Sequence, residues 1–346
     1  MSQQQIRVGI IGGGWPGGAH ARGYRQSGGF KLCAIADLIP DRRKKLIAEH
    51  GPMQEYSDAK ELIADKSLEA ISVCLPTYLH LPTVLAALRA GKHVICEKPP
   101  TINAKEARKI ESAVAKSGKI LLYAVQRRFG GPEQASRQAI SKGYAGDVFH
   151  ARAQWMRTRG IPVGTGWFPV KEQSGGGALI DIGVHMLDLA WHLLGQPKPA
   201  SVFAATYHKF ADTAPKQIKM DVEDSAFALI RFEGGKSLEL SASWAFNQPP
   251  QQQGTLCRVY GDKAAVDVYT PGGAVIFRNF DGEGKAKSTP LPPPRVAGHA
   301  ALMRHFRECI VGKATPLIGA KEGVVLMQMI DGIYRSAETG KSVEIK

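Results

Sequence analysis

Over the first third of the chain, short apolar β-branched runs alternate with longer amphipathic stretches, and near residue 126 this alternation breaks. The run Ile6-Arg7-Val8-Gly9-Ile10-Ile11 reads as a buried strand that feeds a glycine turn and then a helix to about Gln26. Further strands are expected at 31–36, at 70–75, in the run ending at Lys98 and at 119–125. The helices between them are expected at 41–50, 58–64, 81–90 with Gly91 as a stop, and 104–116 capped by Thr101 or Asn103. Six strands alternating with helices predict a parallel, doubly wound Rossmann sheet, although the pattern locates only five of them. After residue 126 come a helix at 133–141, a strand at 147–157 and a loop rich in Gly and Pro. Ser174-Gly-Gly-Gly-Ala-Leu-Ile-Asp181 follows and continues as a helix to Leu194, which Gly195 stops. From 200 to 280 several strands are separated by Gly, Pro and Asp turns with no helix between them, the mark of a mainly antiparallel sheet. A proline-rich linker at 289–295, helices at 297–311 and 321–338, and a strand at 343–345 close the chain. The expected organisation is an α/β dinucleotide-binding domain at 1–125 and, at 126–346, an α+β domain for substrate binding and oligomerisation with a large open-faced sheet.

Length and composition agree with this picture. A chain of 346 residues suits two domains that each bury a core, and 44% hydrophobic with 22% charged residues is ordinary for a globular protein. No apolar run approaches the roughly 20 residues of a membrane span. Met1-Ser2-Gln3-Gln4-Gln5 lacks the basic and then apolar regions of a secretory signal, so a cytoplasmic location is expected. Cys33, Cys74 and Cys96 lie in apolar runs and the total of five is odd, which predicts reduced core thiols, and no pair has zinc-ligand spacing. The formal charge of +14 raises the question of nucleic acid. Its basic residues are scattered, however, and the one dense run, Arg42-Arg43-Lys44-Lys45, opens a helix, where it reads as a solvated face. Neither nucleic acid nor membrane is therefore an expected partner, whereas the positive field suits an anionic dinucleotide and an acidic or phosphorylated small molecule.

Three groups of residues carry candidate chemistry. Gly12-x-Gly14-x-x-Gly17, between a strand and a helix, has the spacing that lets backbone amides approach a pyrophosphate, with Trp15 and Pro16 inside the loop. Asp37, after the second strand, is placed to accept hydrogen bonds from a ribose diol and favours NAD, while Arg42 and Arg43 pull toward the 2′-phosphate of NADP. The stretch Val94-Ile95-Cys96-Glu97-Lys98-Pro99-Pro100 ends a strand abruptly and leaves Lys98 at its carboxyl edge, where open α/β sheets keep their ligands. Pro99 stops further ladder pairing and is a place for a cis bond, which would fix the direction of the lysine. Asp181 and His185 stand four apart on a helix with Asp188 beside them, a spacing in which a carboxylate can orient an imidazole for work as a general base. The same residues also admit blander readings: a polar strand exit for Lys98, helix capping for Asp181, and one buried stripe for His185, Asp188 and His192. That stripe is preferred over a metal site, so no metal is expected.

The ordered set GxGxxG, TYLHLPTVLAALRAGKHVICEKP, QRRF, SGGGALIDIGVHMLDL and IYRSAETGKSVEI resembles the Gfo/Idh/MocA oxidoreductases, named after glucose-fructose oxidoreductase and inositol dehydrogenase, over nearly the whole chain. The resemblance implies hydride transfer between NAD(P) and a secondary alcohol or ketone of a sugar, polyol or sugar derivative. Lys98, Asp181 and His185 would then be the catalytic set. Gly12, Gly14, Trp15, Pro16, Gly17, Asp37, Arg42, Leu75, Pro76, Thr77, His80, Glu97, Lys98 and Arg128 would line the cofactor. Arg157 and Trp167 would join Lys98, Asp181 and His185 at the substrate. It also implies a dimer or tetramer joined at the second domain's sheet, where Phe227, Leu229, Leu238 and Leu240 supply apolar positions. Two other activities stay open at this point, a redox-assisted glycosidase and a non-catalytic dinucleotide sensor. Tyr78 stands where the family often has Asn, and Trp15-Pro16 is bulky for a glycine loop.

Overall fold

The computed structural model describes residues 5–164, 166–215, 218–278 and 287–346. The chain forms two compact units, one of residues Met1–Phe129 with Val296–Val324 and one of Gly130–Arg295 with Val325–Lys346. The local pattern places the second domain without interruption at 126–346. In the structure residues 296–324 group with the first unit instead, because a late helix packs onto its first one.

In the first unit β1 (Ile6–Ile11), β2 (Phe30–Ala36), β3 (Gln54–Tyr56), β4 (Ala70–Val73), β5 (His93–Glu97) and β6 (Leu121–Ala124) form one parallel sheet in the order β3-β2-β1-β4-β5-β6. The strand without a sequence signal is β3, which is three residues long and carries Gln54 and Glu55 on an exposed edge. Helices α1 (Trp15–Ser27), α2 (Pro40–His50), α3 (Ala59–Ala64), α4 (His80–Arg89) and α5 (Ala104–Ser117) alternate with the strands. Every residue of β4 and of β6 is buried, which is why these strands read as continuous apolar runs rather than alternating ones. Strand order reverses between β1 and β4, so the chain leaving β1, β4 and β5 converges on the carboxyl edge of the sheet at the switch point.

In the second unit α6 (Gly131–Ser141) precedes β7 (Val148–Met156), and α7 (Lys171–Ser174) precedes α8 (Val184–Leu193). Strands β8 (Pro199–Tyr207), β9 (Ser225–Phe232), β10 (Ser237–Ser243), β11 (Gly254–Gly261), β12 (Ala265–Thr270), β13 (Gly273–Arg278) and β14 (Lys287–Pro290) follow. Next come α9 (Gly298–Ile310), which packs on α1 in the first unit, then α10 (Ala320–Thr339) and β15 (Val343–Glu344). Phe306 of α9 is fully buried and stacks on Phe30 at 6.2 Å. The nine-stranded sheet runs β14-β13-β12-β11-β7-β10-β9-β8-β15 and is antiparallel among the described pairs except at β10–β7.

Two expectations change here. Residues 289 and 290, read as linker, pair with β13 as the end of β14. Leu238 and Leu240, read as part of an oligomer face, are buried inside the unit, while Leu229 and Phe203 stand opposite each other on the exposed face. The strand expected to reach 280 is described as far as 278, and residues 279 and 280 lie outside the described residues.

Candidate active site

In the first unit the turn after β1 is closed by glycines with no room for a side chain. Gly12 has φ +98°, and a Cβ there would stand 2.2 Å from the Cys74 carbonyl oxygen; at Gly17 it would stand 2.0 Å from that of Gly12. Gly14 is the extended N-cap of α1 and offers no side-chain cap, and Pro16 sits in the first turn, where its missing N–H costs nothing. The amides that open α1 are thus uncapped by side chains, which fits a pyrophosphate. Trp15 is 71% exposed beside them.

Asp37 stands at the end of β2 with a nearly buried carboxylate. Its Oδ2 accepts the Gly13 N–H at 2.7 Å and its Oδ1 the Ile39 N–H at 2.8 Å, so the acid also shapes the glycine turn. Arg42 approaches Asp37 Oδ2 at 3.8 Å with half of its side chain exposed. Arg43 is committed elsewhere, donating to Glu55 and to the Asp37 carbonyl.

Beyond β4, Leu75 and Pro76 lead into a short 3-10 turn, Thr77–Leu79, with Thr77 buried. His80 was expected on the cofactor side, yet both its ring nitrogens face carbonyl oxygens, Nε2 that of Leu75 and Nδ1 that of Pro99, each at 2.9 Å. Its role is to brace the Lys98–Pro99 turn, whose peptide bond is cis. Burial pushes the His80 pKa below the ordinary imidazole value against the pull of those carbonyls. Arg128, also expected at the cofactor, is buried and donates through Nη1 to the Leu317 carbonyl.

Lys98 follows β5 at the end of a buried polar chain. Tyr24 Oη lies 2.7 Å from Ser72 Oγ, which lies 3.1 Å from His20 Nδ1; His20 Nε2 lies 3.1 Å from Glu97 Oε1, and Glu97 Oε2 accepts the Lys98 N–H at 3.1 Å. Burial acts to raise the Glu97 pKa, but the hydrogen bond and charge of His20, with Lys98, outweigh it and hold the carboxyl below its usual value. His20 and Ser72 were missed from the sequence, where neither belongs to a polar motif.

In the second unit Asp181 lies in a π-helical turn, Leu179–Gly183, that runs into α8 with His185 in its first turn. The expected α-helical i, i+4 geometry is therefore altered, since π turns close five residues apart. Asp181 Oδ2 accepts the Trp244 indole N–H at 2.9 Å. The buried His185 ring lies 5.7 Å from that of Trp155 at a tilt of 43°, and the Arg157 guanidinium sits over Trp155 at 5.3 Å, so His185, Trp155 and Arg157 form one contiguous group. Trp167 stacks instead on its neighbour Phe168. Glu223 clamps the glycine segment ahead of Asp181. Its carboxylate accepts the Gly177 and Leu179 N–H groups at 2.9 and 3.0 Å and the Tyr334 hydroxyl at 3.0 Å. Trp155, Trp244 and Glu223 were not foreseen. The only signal for them was an acid pair, Glu223-Asp224, opening an apolar strand, and two tryptophans in other strand regions.

Residues 6–125 match the NAD-binding Rossmann fold of an oxidoreductase family, and residues 134–267 match the GFO/IDH/MocA C-terminal domain. The chain is similar to D-glucoside 3-dehydrogenase of Escherichia coli K12, with 33% identity over 100% of this chain and 99% of that one. It is 27% identical to 1,5-anhydro-D-fructose reductase of Ensifer adhaerens over 98% of both. A levoglucosan dehydrogenase solved with NADH and levoglucosan shares the fold, with TM-score 0.87 over 99% of this chain and 100% of that one at 21% identity.

Proposed function

This chain belongs to the GFO/IDH/MocA family of NAD-binding oxidoreductases, and we propose that it interconverts a secondary alcohol and a ketone on a sugar or close sugar derivative. The observation that carries the assignment is Lys98, held through its own backbone at the carboxyl edge of a parallel sheet beside an uncapped glycine turn. Bound NAD supplies the hydride acceptor in oxidation and, when reduced, the donor in the reverse reaction.

The uncapped amides of α1 and Gly14 hold the pyrophosphate, while Asp37 and Arg42 meet the adenosine ribose. Lys98 donates a hydrogen bond to the reacting oxygen and stabilises the alkoxide as the O–H proton leaves. His185 takes that proton in oxidation and returns it in reduction. Asp181, steadied by the Trp244 indole, orients His185. Arg157 and Trp155 meet the remaining hydroxyls and the apolar face of the sugar.

The test is nicotinamide absorbance with purified protein across glucosides, anhydrosugars, polyols and sugar acids. NAD reduction by at least one sugar class supports the proposal. Silence across the whole panel in both directions would remove it, and aglycone release without net absorbance change would redirect it to cofactor-assisted glycoside cleavage.

The protein is further proposed to be a homodimer or homotetramer joined through the exposed face of β8 and β9. Phe203, Tyr207 and Leu229 are 55%, 44% and 48% exposed there, next to the Arg152–Glu239 ion pair at 3.4 Å. Light scattering that returned 37.4 kDa at micromolar concentration would refute this. Among the described residues no helix is long and apolar enough to cross a membrane. Five free cysteines, four of them buried, support a cytoplasmic setting.

A further inference from the structure

We propose that His20, Glu97 and His299 form a binding site for one divalent transition-metal ion of the zinc class, bracing α9 against α1 and the end of β5. The donor atoms of the three side chains all lie within 4.8 Å of one another, and His20 and Glu97 are buried while His299 is partly open. They come from parts of the sequence with no motif in common, and α9 returns to the first unit after more than 160 residues spent in the second.

Two features favour an ion over a plain hydrogen-bonded cluster. The donors are two imidazoles and a carboxylate, a set that suits Zn²⁺, Co²⁺ or Ni²⁺ and not the all-oxygen shells of Mg²⁺ or Ca²⁺. Finally, His20 has the outer partner that metal-bound histidines characteristically have. Ser72 Oγ meets Nδ1 at 3.1 Å and can accept from it or donate to it, so the ring can turn its Nε2 lone pair toward an ion. His299 is the partly exposed member, and an ion and a water as fourth ligand would arrive from its side.

Because Glu97 also takes the Lys98 amide, the test reads ion binding rather than turnover, which keeps its failure distinguishable from failure of the hydride-transfer reading. Chelator-treated full-length protein is titrated with Co²⁺ and followed by visible absorption, then with Zn²⁺ by calorimetry and thermal unfolding. The expected result is one ion per chain, the ligand-field bands of four- or five-coordinate Co²⁺, and a rise in Tm with Zn²⁺. His299→Gln, which keeps a polar side chain of similar reach, is expected to lose about 100-fold or more in affinity together with the Co²⁺ bands. His208→Ala, on an exposed segment, should keep both. Absence of the bands in the wild type, or equal affinity in His299→Gln, would overturn the proposal. Because the wild-type spectrum decides by itself, misfolding of the variant cannot rescue the idea.

Discussion

Lys98 and His185 are held by different physical means. Around Lys98 the supports are polar and buried: Glu97 takes its amide, His20 and Ser72 back Glu97, and His80 braces the Pro99 carbonyl. Around His185 they are mostly aromatic and steric: Trp155 packs at a tilt against the ring, Trp244 donates to Asp181, and Glu223 fastens the glycine segment before the π turn. A buried polar chain defines direction sharply but is sensitive to loss of any member, because each removed partner leaves another unsatisfied. Aromatic packing tolerates small shifts. The Lys98 backbone therefore sits in the stiffer setting and the His185 imidazole in the more adaptable one.

The comparison breaks most visibly at Lys98 itself. Lys98→Met should lower turnover on an established substrate by about three orders of magnitude or more, the scale of losing a charged donor to a developing alkoxide, while NADH titration by fluorescence stays near wild type. Wild-type turnover in a folded variant would dismiss the lysine from the chemistry.

Next in size is Trp244→Phe, which keeps an aromatic side chain but removes the N–H that Asp181 accepts, along with the pyrrole half of the buried indole. A hydrogen bond to a charged group is worth about 1.5–3 kcal/mol, so kcat should fall roughly 10- to 100-fold with little change in NADH affinity. An unchanged kcat would mean that Asp181 is positioned by its helix alone.

Asp37→Ser tests the cofactor side of the first unit. Removing the acid leaves Arg42 unopposed near the ribose, and the ratio of NADH to NADPH affinity should move toward NADPH by about tenfold, the scale of one such interaction. Arg43 contributes less because Glu55 and the Asp37 carbonyl already engage it. A ratio that stays put would show that Asp37 matters for the Gly13 turn and not for selection between cofactors.

The smallest effect is a pH dependence from His80. Its folded pKa lies below the ordinary 6.5, so the unfolded chain takes up the proton first. The stability it contributes is present above about 6.5 and is lost as pH falls toward the folded value. Relative to wild type, His80→Gln should flatten the acid-side loss by up to about 1.4 kcal/mol per pH unit, read from urea midpoints between pH 7.5 and 5. Parallel pH profiles for the two proteins would mean that the ring is already charged in the fold, donating to both carbonyls.

The primary structure by itself determined the two-part architecture, the doubly wound sheet and the stations of Gly12, Asp37, Lys98, Asp181 and His185. Each of these follows from local rules: apolar period, glycine spacing, and a proline that ends a strand. What only the tertiary structure decided is who holds those stations. His20 meets Glu97 across 77 residues, Trp244 meets Asp181 across 63 and Glu223 meets Gly177 across 46. The return of α9 to the first unit, the burial of Leu238 and Leu240, and the use of His80 and Arg128 as internal braces are of the same kind. Local patterning records which face of an element is apolar, but a side-chain hydrogen bond depends on which distant element is placed opposite, and that is decided only when the sheets and helices pack.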